Sequence, residues 1–183
     1  MVPRFRDDDA EKALELDTRR NIYDHISAVP GTHFREIHRR LKIPTGVVEY
    51  HLKYLEDRDL IVARKEGRYK RYYITGSMGS QDKMLMSLLR QKIPRHILMQ
   101  LLLQPKTTHK ELRKLFSISA STLSFHLSKL LKNEVIEQIK SGRENEYVVV
   151  DEDAVAKALI RFKKGFVDEV VDEFVDIWME IHP

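Results

Sequence analysis

The chain has 183 residues, 42% of them hydrophobic and 33% charged, which is enough apolar content for a packed core in one large or two small domains. It contains no cysteine, which excludes disulfides, thiolate metal sites and cysteine nucleophiles. No apolar run approaches the roughly 20 residues that cross a bilayer, and the N-terminal residues lack a secretory signal pattern. A cytoplasmic protein without membrane association is therefore expected.

The net charge of +4 is distributed unevenly along the chain. Residues 1–17 carry three basic and six acidic side chains, a net −3, and residues 151–183 carry four and nine, a net −5. Residues 18–75 carry thirteen and seven, and residues 76–150 carry twelve and six, a net +6 for each. A basic centre between acidic ends predicts a polyanion partner such as double-stranded DNA, with the acidic ends facing away from it.

The central part of the chain is an internal repeat. A shift of 75 positions aligns Arg20–Ile74 with Arg95–Val149 without a gap, and fourteen of the fifty-five aligned pairs are identical. Ungapped similarity of this length predicts two copies of one small domain. The predicted division of the chain is an acidic extension at 1–17, a first domain at 18–75, a linker and connecting helix at 76–93, a second domain at 94–150, and a C-terminal segment at 151–183.

The first copy is predicted to form three helices followed by a hairpin. Apolar residues recur at helical spacing up to Val29, and the "PG" that follows ends that helix. Thr32 is expected to cap a second helix, and after a "KIP" turn a third helix is expected from about Thr45 to Arg58. The apolar "LIV", the Gly-centred "RKEGRYKR" and the returning "YYI" predict a β-hairpin.

The second copy has the same order of elements. "TGSMGS" is expected to be a linker, and the apolar segment after it predicts a helix that ends before Pro94, where the next helix begins. Thr108 and Glu111 have the spacing of a capping box, and Ser119 is expected to cap the third helix. A hairpin turn is expected at Gly142.

Three helices and a hairpin, with a tight turn between the second and third helices, form the winged helix-turn-helix plan. The segment "FREIHRRLKIPTGVVEYHLKYLEDRDLIVARKEGRYKRYYI" resembles the ArsR/MarR-like winged-helix transcription regulators, particularly archaeal tandem-domain regulators, and the resemblance covers about residues 18–150. It implies a mainly α fold with small β-hairpin wings and DNA binding. Metal-sensing members of such families use thiolates, which this chain lacks, so no metal or cofactor is expected and no effector is identified. Nothing in the sequence supports an enzymatic activity.

The candidate DNA contacts follow from this plan, because the third helix enters the major groove and cations contact the backbone. In the first copy they are Arg39, Arg40, Thr45, Gly46, Tyr50 and Lys53, with Arg64, Lys65, Arg68, Lys70 and Arg71 on the wing. In the second copy they are Ser119, Ser121, Thr122, Ser124 and Lys129, with Lys140 and Arg143 on the wing. Phe125 and Ser128 belong to the same outer face of the second recognition helix.

Three features of these copies have alternative interpretations. Glu49 lies on the outer face of the first recognition helix, where pairing with a neighbouring arginine is favoured over accepting a hydrogen bond from cytosine N4. The first wing sets five cations against Glu66, which favours DNA contact over a solvated hairpin that only protects a sheet edge. His51 and His126 lie in register, and packing at the helix flank is favoured over metal binding or catalysis.

Residues 151–183 predict a long amphipathic helix, bent near Gly165. This pattern shows burial without showing the partner, and a symmetric homodimer is favoured over folding back onto the same chain. An effector pocket lined by aromatic residues of this segment, Phe162, Phe166 and Trp178, is a further alternative. The expected dimerisation residues are Leu159, Phe162, Phe166, Val170, Phe174, Ile177 and Trp178.

These patterns together predict a sequence-specific DNA-binding transcription regulator that acts as a homodimer and, by default, as a repressor. One alternative is a winged-helix adaptor in a transcription or replication assembly, because Glu49 and the acidic residues of the second wing weaken the case that both copies bind DNA. A second alternative is a nonspecific chromosomal DNA binder, which the basic charge permits.

Overall fold

The structure is a computed structural model that describes residues 16–142 and 144–182, so residues 1–15 of the predicted acidic extension lie outside it. Two compact units divide the chain, one ending at Lys83 and the other beginning at Met84. No helix within the described ranges is long and apolar enough to cross a membrane. The predicted fold class is confirmed: the chain is mainly helical, with small antiparallel sheets in tandem winged-helix domains.

The first unit contains a three-helix core and a three-stranded antiparallel sheet. The helices are α1 (Asp17–Ala28), α2 (Phe34–Leu41) and α3 (Thr45–Asp57), and the strands are β1 (Thr32–His33), β2 (Ile61–Glu66) and β3 (Tyr69–Ile74). The strand order is β1-β3-β2, with Thr32 paired to Tyr72 and Ile61 paired to Ile74. The buried core consists of Ile22, Ile26, Ile37, Val48, Leu52, Leu55, Ile61 and Tyr72.

The boundary between the units falls within α4 (Ser80–Leu89), after which the second unit repeats the same order. Its elements are α5 (Lys92–Leu103), β4 (Thr107–Thr108), α6 (His109–Leu115), α7 (Ala120–Lys132), β5 (Ile136–Ser141) and β6 (Glu144–Val149), followed by α8 (Glu152–Phe166) and α9 (Glu169–Ile181). The strand order is β4-β6-β5, the counterpart of the first sheet.

The repeat predicted from the sequence is present at the level of single elements. Both ends of α1, β1, α3, β2 and β3 recur 75 residues later in α5, β4, α7, β5 and β6. The second helices also begin 75 residues apart and differ by one residue at their C-terminal ends. The recognition helices α3 and α7 therefore begin at equivalent places in their units.

The helix caps explain why the elements begin where they do. Thr108 Oγ1 accepts a hydrogen bond from Glu111 N at 3.3 Å while the Glu111 carboxylate accepts one from Thr108 N at 2.8 Å, which confirms the predicted capping box. Ser119 caps α7 as predicted. The expectation that Thr32 caps α2 is wrong, because Thr32 belongs to β1 and His33 Nδ1 accepts from Glu36 N at 3.2 Å instead.

Three equivalent backbone positions have a left-handed conformation in both units, and at one of them a glycine in the first unit corresponds to a larger residue in the second. This position is Gly31 in the first unit, with φ +75°, and Lys106 in the second, with φ 61°. A residue with a Cβ is disfavoured in this region, so the lysine holds a strained conformation that the glycine avoids.

Replacing Lys106 by glycine is expected to raise the free energy of unfolding of the second unit by roughly 0.5–1 kcal/mol, because it relieves that strain. Urea unfolding of the full chain measures the change, with Lys106→Ala as the control that shortens the side chain but keeps a Cβ. The reverse change, Gly31→Ala, is expected to destabilise the first unit, since the new Cβ would also lie 3.1 Å from the Tyr73 hydroxyl. A Lys106→Gly variant no more stable than Lys106→Ala contradicts the strain.

The C-terminal segment forms two helices, so the prediction of one helix bent near Gly165 is wrong. Gly165 lies inside α8, and the break follows it at Val167, which has φ 51° and ψ 57°, and at the extended Asp168. Neither position has the glycine or proline that usually ends a helix in sequence-based reasoning. The break instead places the Asp168 side chain against the start of α5.

Asp168 joins the α8–α9 junction to α5 within the second unit. Its Oδ2 accepts hydrogen bonds from Arg95 Nε at 3.2 Å and from Arg95 Nη2, and lies 2.7 Å from His96 Nε2. Arg90 Nη1 donates to Gly165 O at 2.8 Å beside it. Burial by itself raises the pKa of Asp168, but the hydrogen bonds from Arg95 and His96 outweigh it, so the pKa lies below its ordinary value. The junction is therefore held by a buried ion pair.

Much of the apolar stripe predicted to form a dimer interface is buried within its own unit, where α9 contacts α5 and α8. The buried members, each at most 8% exposed, are Leu159, Phe162, Phe174 and Trp178. These four side chains are therefore not available to a partner chain, because this part of the segment folds back onto its own unit. Phe166 is half-buried, while Val170 and Ile177 are 43% and 44% exposed.

Candidate nucleic-acid interface

The recognition helix α3 has one buried and one exposed side. Val48, Leu52 and Leu55, each at most 2% exposed, fasten it to the core of the first unit. Gly46, Tyr50 and Lys53 lie on the opposite side, and Thr45 is exposed at the start of the helix. This arrangement leaves the predicted contact residues of α3 accessible to a groove of DNA.

Glu49 is exposed on the same helix and forms no ion pair within the described part of the chain. The alternative in which it pairs with a neighbouring arginine is therefore not observed. Its carboxylate can accept a hydrogen bond from a base donor such as cytosine N4.

His51 and His126 are packed at the helix flanks, as favoured from the sequence. His51 is buried, and its Nδ1 lies 3.4 Å from the Arg19 Nε that donates to it. Burial lowers the pKa of both histidines, and the neighbouring cations Arg19 and Lys129 lower it further. Within residues 16–142 and 144–182, no group of three potential ligand side chains is placed to hold a metal ion.

The wing of the first unit, the β2–β3 hairpin, turns at Gly67 with φ +61° and exposes Lys65, Arg68 and Lys70. Lys70 Nζ lies 2.8 Å from Glu56 Oε2, so this cation ties the wing to α3. Lys65 and Arg68 have no ion-pair partner among the described residues. These two cations are therefore the members of the wing most accessible to phosphates.

Arg71 does not belong to the exposed wing, and its sequence-based assignment as a DNA contact is corrected. It is 6% exposed, its Nε lies 3.0 Å from Glu66 Oε2, and its Nη1 donates to Gly31 O at 2.6 Å. The register of β3 explains this placement, because Arg71 pairs with both β1 and β2 in the middle of the sheet. Its guanidinium is a structural link inside the first unit.

Two other predicted cations are also less exposed than expected. Arg40 is half-buried, with its Nε 3.6 Å from Glu36 Oε1, and Arg64 is half-buried on β2. Arg39, by contrast, is exposed on α2.

A concave groove of about 370 Å³ lies between α2 and the first wing, and the sequence did not predict it. His33 and Tyr69 stack across it, with ring centroids 4.9 Å apart. Three cations line it, one from α2 and two from the first wing, which suits a phosphate group. The lining residues are His33, Phe34, Arg35, Arg68, Tyr69 and Lys70. Arg35 was not among the predicted contacts. Its exposed position on α2, like that of Arg39, could have indicated it.

The second recognition helix, α7, presents hydroxyl groups. The Ser119 hydroxyl lies 2.9 Å from the Ser121 hydroxyl and 2.8 Å from the Thr122 hydroxyl at the start of the helix. One turn further, the Ser124 hydroxyl lies 3.0 Å from His109 Nε2. Serine and threonine can contact bases or phosphates, so all four predicted residues are placed where they can act.

The cations predicted to contact DNA in the second unit are less accessible than those of the first wing. Lys129 is half-buried and its Nζ donates to Gln91 Oε1 at 2.8 Å. Lys140 is exposed on β5, and Arg143 lies outside the described residues. The first unit therefore offers exposed cations on its wing, and the second offers hydroxyl groups on its recognition helix.

Two family models match the chain, one for each unit. Residues 16–85 match a family described as an N-terminal HTH domain, and residues 95–138 match the family described as bacterial regulatory protein, arsR family. The two matches cover the helix-turn-helix segments α2–α3 and α6–α7.

Similar proteins include an archaeal regulator. This chain is 31% identical to an uncharacterized HTH-type transcriptional regulator of Methanocaldococcus jannaschii over 141 residues, which are 77% of this chain. The match covers about a third (35%) of the length of that protein. Reduced HlyU from Vibrio cholerae is 22% identical, with TM-score 0.34, over 44% of this chain and 81% of HlyU. A Corynebacterium diphtheriae protein is 14% identical, with TM-score 0.30, over 76% of this chain and 27% of that one. The helix-turn-helix matches and the archaeal relative show that the chain carries tandem ArsR-like winged helix-turn-helix domains.

Proposed function

We propose that this chain regulates transcription by binding specific sites in double-stranded DNA, and that its two winged-helix units contribute unequally. The observation that supports this division is the segregation of exposed groups. Lys65 and Arg68 lie on the first wing, whereas hydroxyl groups cluster on α7 of the second unit. Cations on phosphates supply affinity and register, whereas groups at base edges supply sequence preference.

In the proposed mechanism the first unit anchors the protein through the groove between α2 and its wing. A phosphate there meets the guanidinium groups of Arg35 and Arg68 and the ammonium group of Lys70. The second unit presents Ser121 and Ser124 of α7 to the major groove. A promoter occupied in this way is closed to other proteins, so repression is the proposed mode of regulation.

The variant Lys65→Ala/Arg68→Ala is expected to weaken binding roughly ten-fold or more at low salt, equally on all sequences, and to flatten the salt dependence by about two phosphate contacts. Each cation that no longer contacts a DNA phosphate removes the favourable free energy of releasing one counterion. Fluorescence anisotropy over a series of salt concentrations measures both quantities. Lys157→Ala/Lys164→Ala, which removes the same charge from exposed positions of α8, is the matched control and should bind as the wild type.

Equal affinities for the two double variants would refute the wing assignment. Genomic selection of bound fragments tests sequence preference in the same preparation. A steep salt slope without a preferred sequence supports the nonspecific binder, and binding no better than that of a charge-matched control protein supports the adaptor.

A homodimer is the proposed assembly, and its support comes from an apolar groove of about 280 Å³ on the second unit. Leu115 and Ile177 at this groove are 56% and 44% exposed, more than their chemistry favours in water. A two-fold dimer of such a surface matches a palindromic site. The residues around the groove are His96, Met99, Gln100, Leu103, Leu115, Phe116, Val170, Glu173, Phe174 and Ile177.

Introducing charge into this groove, as Leu115→Glu/Ile177→Glu, is expected to give monomers in light scattering, because a buried unpaired carboxylate opposes association. Val150→Glu is the control, since Val150 is 55% exposed and does not line the groove. A dimer that persists in the double variant, or a monomeric wild type, would rule out this interface.

A further inference from the structure

Each recognition helix presents one large aromatic side chain at the same position of its exposed side. Tyr50 is the sixth residue of α3 and is 61% exposed, and Phe125 is the sixth residue of α7 and is 64% exposed. Burial of such rings is normally favourable, so their exposure in both units calls for a partner outside the chain.

Both rings contact the imidazole of the following residue, and Tyr50 also lies beside Tyr54, with ring centroids 6.5 Å apart. Tyr50 meets the edge of His51 with centroids 5.1 Å apart and planes at 68°, and Phe125 meets His126 at 5.2 Å and 77°. His51 is buried and His126 is half-buried, so each aromatic side chain rests on a group anchored in its unit. A ring held in this way meets a partner with little loss of conformational freedom.

The neighbours of Phe125 on the same side of its helix are polar, whereas Tyr50 has the half-buried Tyr54 and the 38% exposed Val47 beside it as well as small and polar residues. Gly46 and Lys53 accompany Tyr50, and Ser121 and Ser128 accompany Phe125 at one helical turn on either side. Each ring is the most exposed large apolar side chain of its helix.

We propose that Phe125 and Tyr50 each contact the C5-methyl group of a thymine, which makes them specificity-determining residues. Phenylalanine has no hydrogen-bond donor or acceptor, and the thymine methyl is the apolar group that an unmodified major groove displays. The inference rests on the proposed binding of duplex DNA by both units. It adds a thymine requirement at one position in the site of each unit.

The test replaces the thymines of a duplex obtained by genomic selection, one at a time, with deoxyuridine, which lacks only the methyl group. Fluorescence anisotropy with the full chain measures Kd for each duplex. A thymine in contact with Phe125 or Tyr50 should show roughly a three- to five-fold weaker binding as deoxyuridine, the value expected for one methyl group removed from water.

Variants assign each sensitive position to one ring. Phe125→Ala should lose the response to deoxyuridine at one position and keep it at the other, and Tyr50→Ala should do the reverse. Phe125→Leu, which keeps an apolar side chain, should retain part of the response. Ser128→Ala, on the same side of α7, is the control and should respond as the wild type. All three side chains are exposed, so the variants should unfold as the wild type does.

The inference is overturned if no thymine responds, if the selected site contains none, or if the response persists in both alanine variants. An unchanged affinity of Phe125→Ala for its selected duplex also overturns it and assigns the ring to a protein partner. Loss of salt-dependent duplex binding by the wild type would instead overturn the proposed function. Sequence-selective binding without a response to deoxyuridine overturns the thymine contact alone.

Discussion

Replacing Asp168 by alanine is expected to lower the free energy of unfolding of the second unit by about 3–5 kcal/mol. The substitution leaves the Arg95 guanidinium, in a residue that is 4% exposed, without the carboxylate that receives its Nε and Nη2 hydrogen bonds. It also releases the junction of α8 and α9, where Val167 holds a left-handed conformation that a β-branched residue disfavours. Trp178 is the single tryptophan of the chain and is buried in α9, so its fluorescence reports the unfolding of this unit in urea.

Asp172→Ala is the matched control for this experiment. Its carboxylate is 64% exposed and lies 3.7 Å from Lys163 Nζ, and exposed pairs of this kind contribute less than about 1 kcal/mol. Equal urea midpoints for the Asp168 and Asp172 variants would show that the buried ion pair does not hold the junction.

Acid provides a second check on Asp168. Its pKa is lowered in the folded state, so the stability it contributes is complete above the ordinary value of 3.8 and is lost as the pH falls below that value through the folded pKa. The difference in stability between the wild type and Asp168→Asn should therefore shrink in strong acid.

Replacing Arg71 by alanine is expected to destabilise the first unit by about 3 kcal/mol or more, because Glu66 is left with a half-buried charge and Gly31 O loses a donor. The strand β3 should show the loss directly, as faster amide hydrogen exchange at its pairings with β1. Lys70→Ala is the neighbouring control, since Lys70 is exposed and its pair with Glu56 contributes little. If Arg71 were a DNA contact, its variant would keep normal exchange and lose affinity instead.

Much of the fold was predictable because the sequence contains an internal repeat. The 75-residue shift located the equivalent helices and strands, and Thr108 and Ser119 marked two helix starts by their capping chemistry. Periodicity also separated the buried Val48, Leu52 and Leu55 from the outer face of α3. These signals are local, so they do not depend on which distant segments meet.

Most of the incorrect predictions concern contacts between distant segments, whereas the His33 cap of α2 and the Arg40–Glu36 pair are local. Arg71 looks like any other cation of the wing until the pairing of β1 with β3 places it beside Gly31, 40 residues earlier in the chain. The apolar stripe of residues 151–183 shows that burial is needed, but only the packing of α9 on α5 shows that much of it is satisfied within the unit. The break at Val167 follows from an ion pair between Asp168 and Arg95, 73 residues apart.

The shared spacing of the two units gives their wings equal lengths without making them interchangeable. Residues 61–74 and 136–149 form hairpins of the same length, each joined in the same register to a recognition helix of the same length. A hybrid that carries the first hairpin in the second position would keep the chain length, but it would place Tyr73 against the Cβ of Lys106, where the first unit has Gly31. Exchanging the wings between the two units would therefore also require Lys106→Gly, so the residue that precedes the first strand of a unit decides which wing that unit accepts.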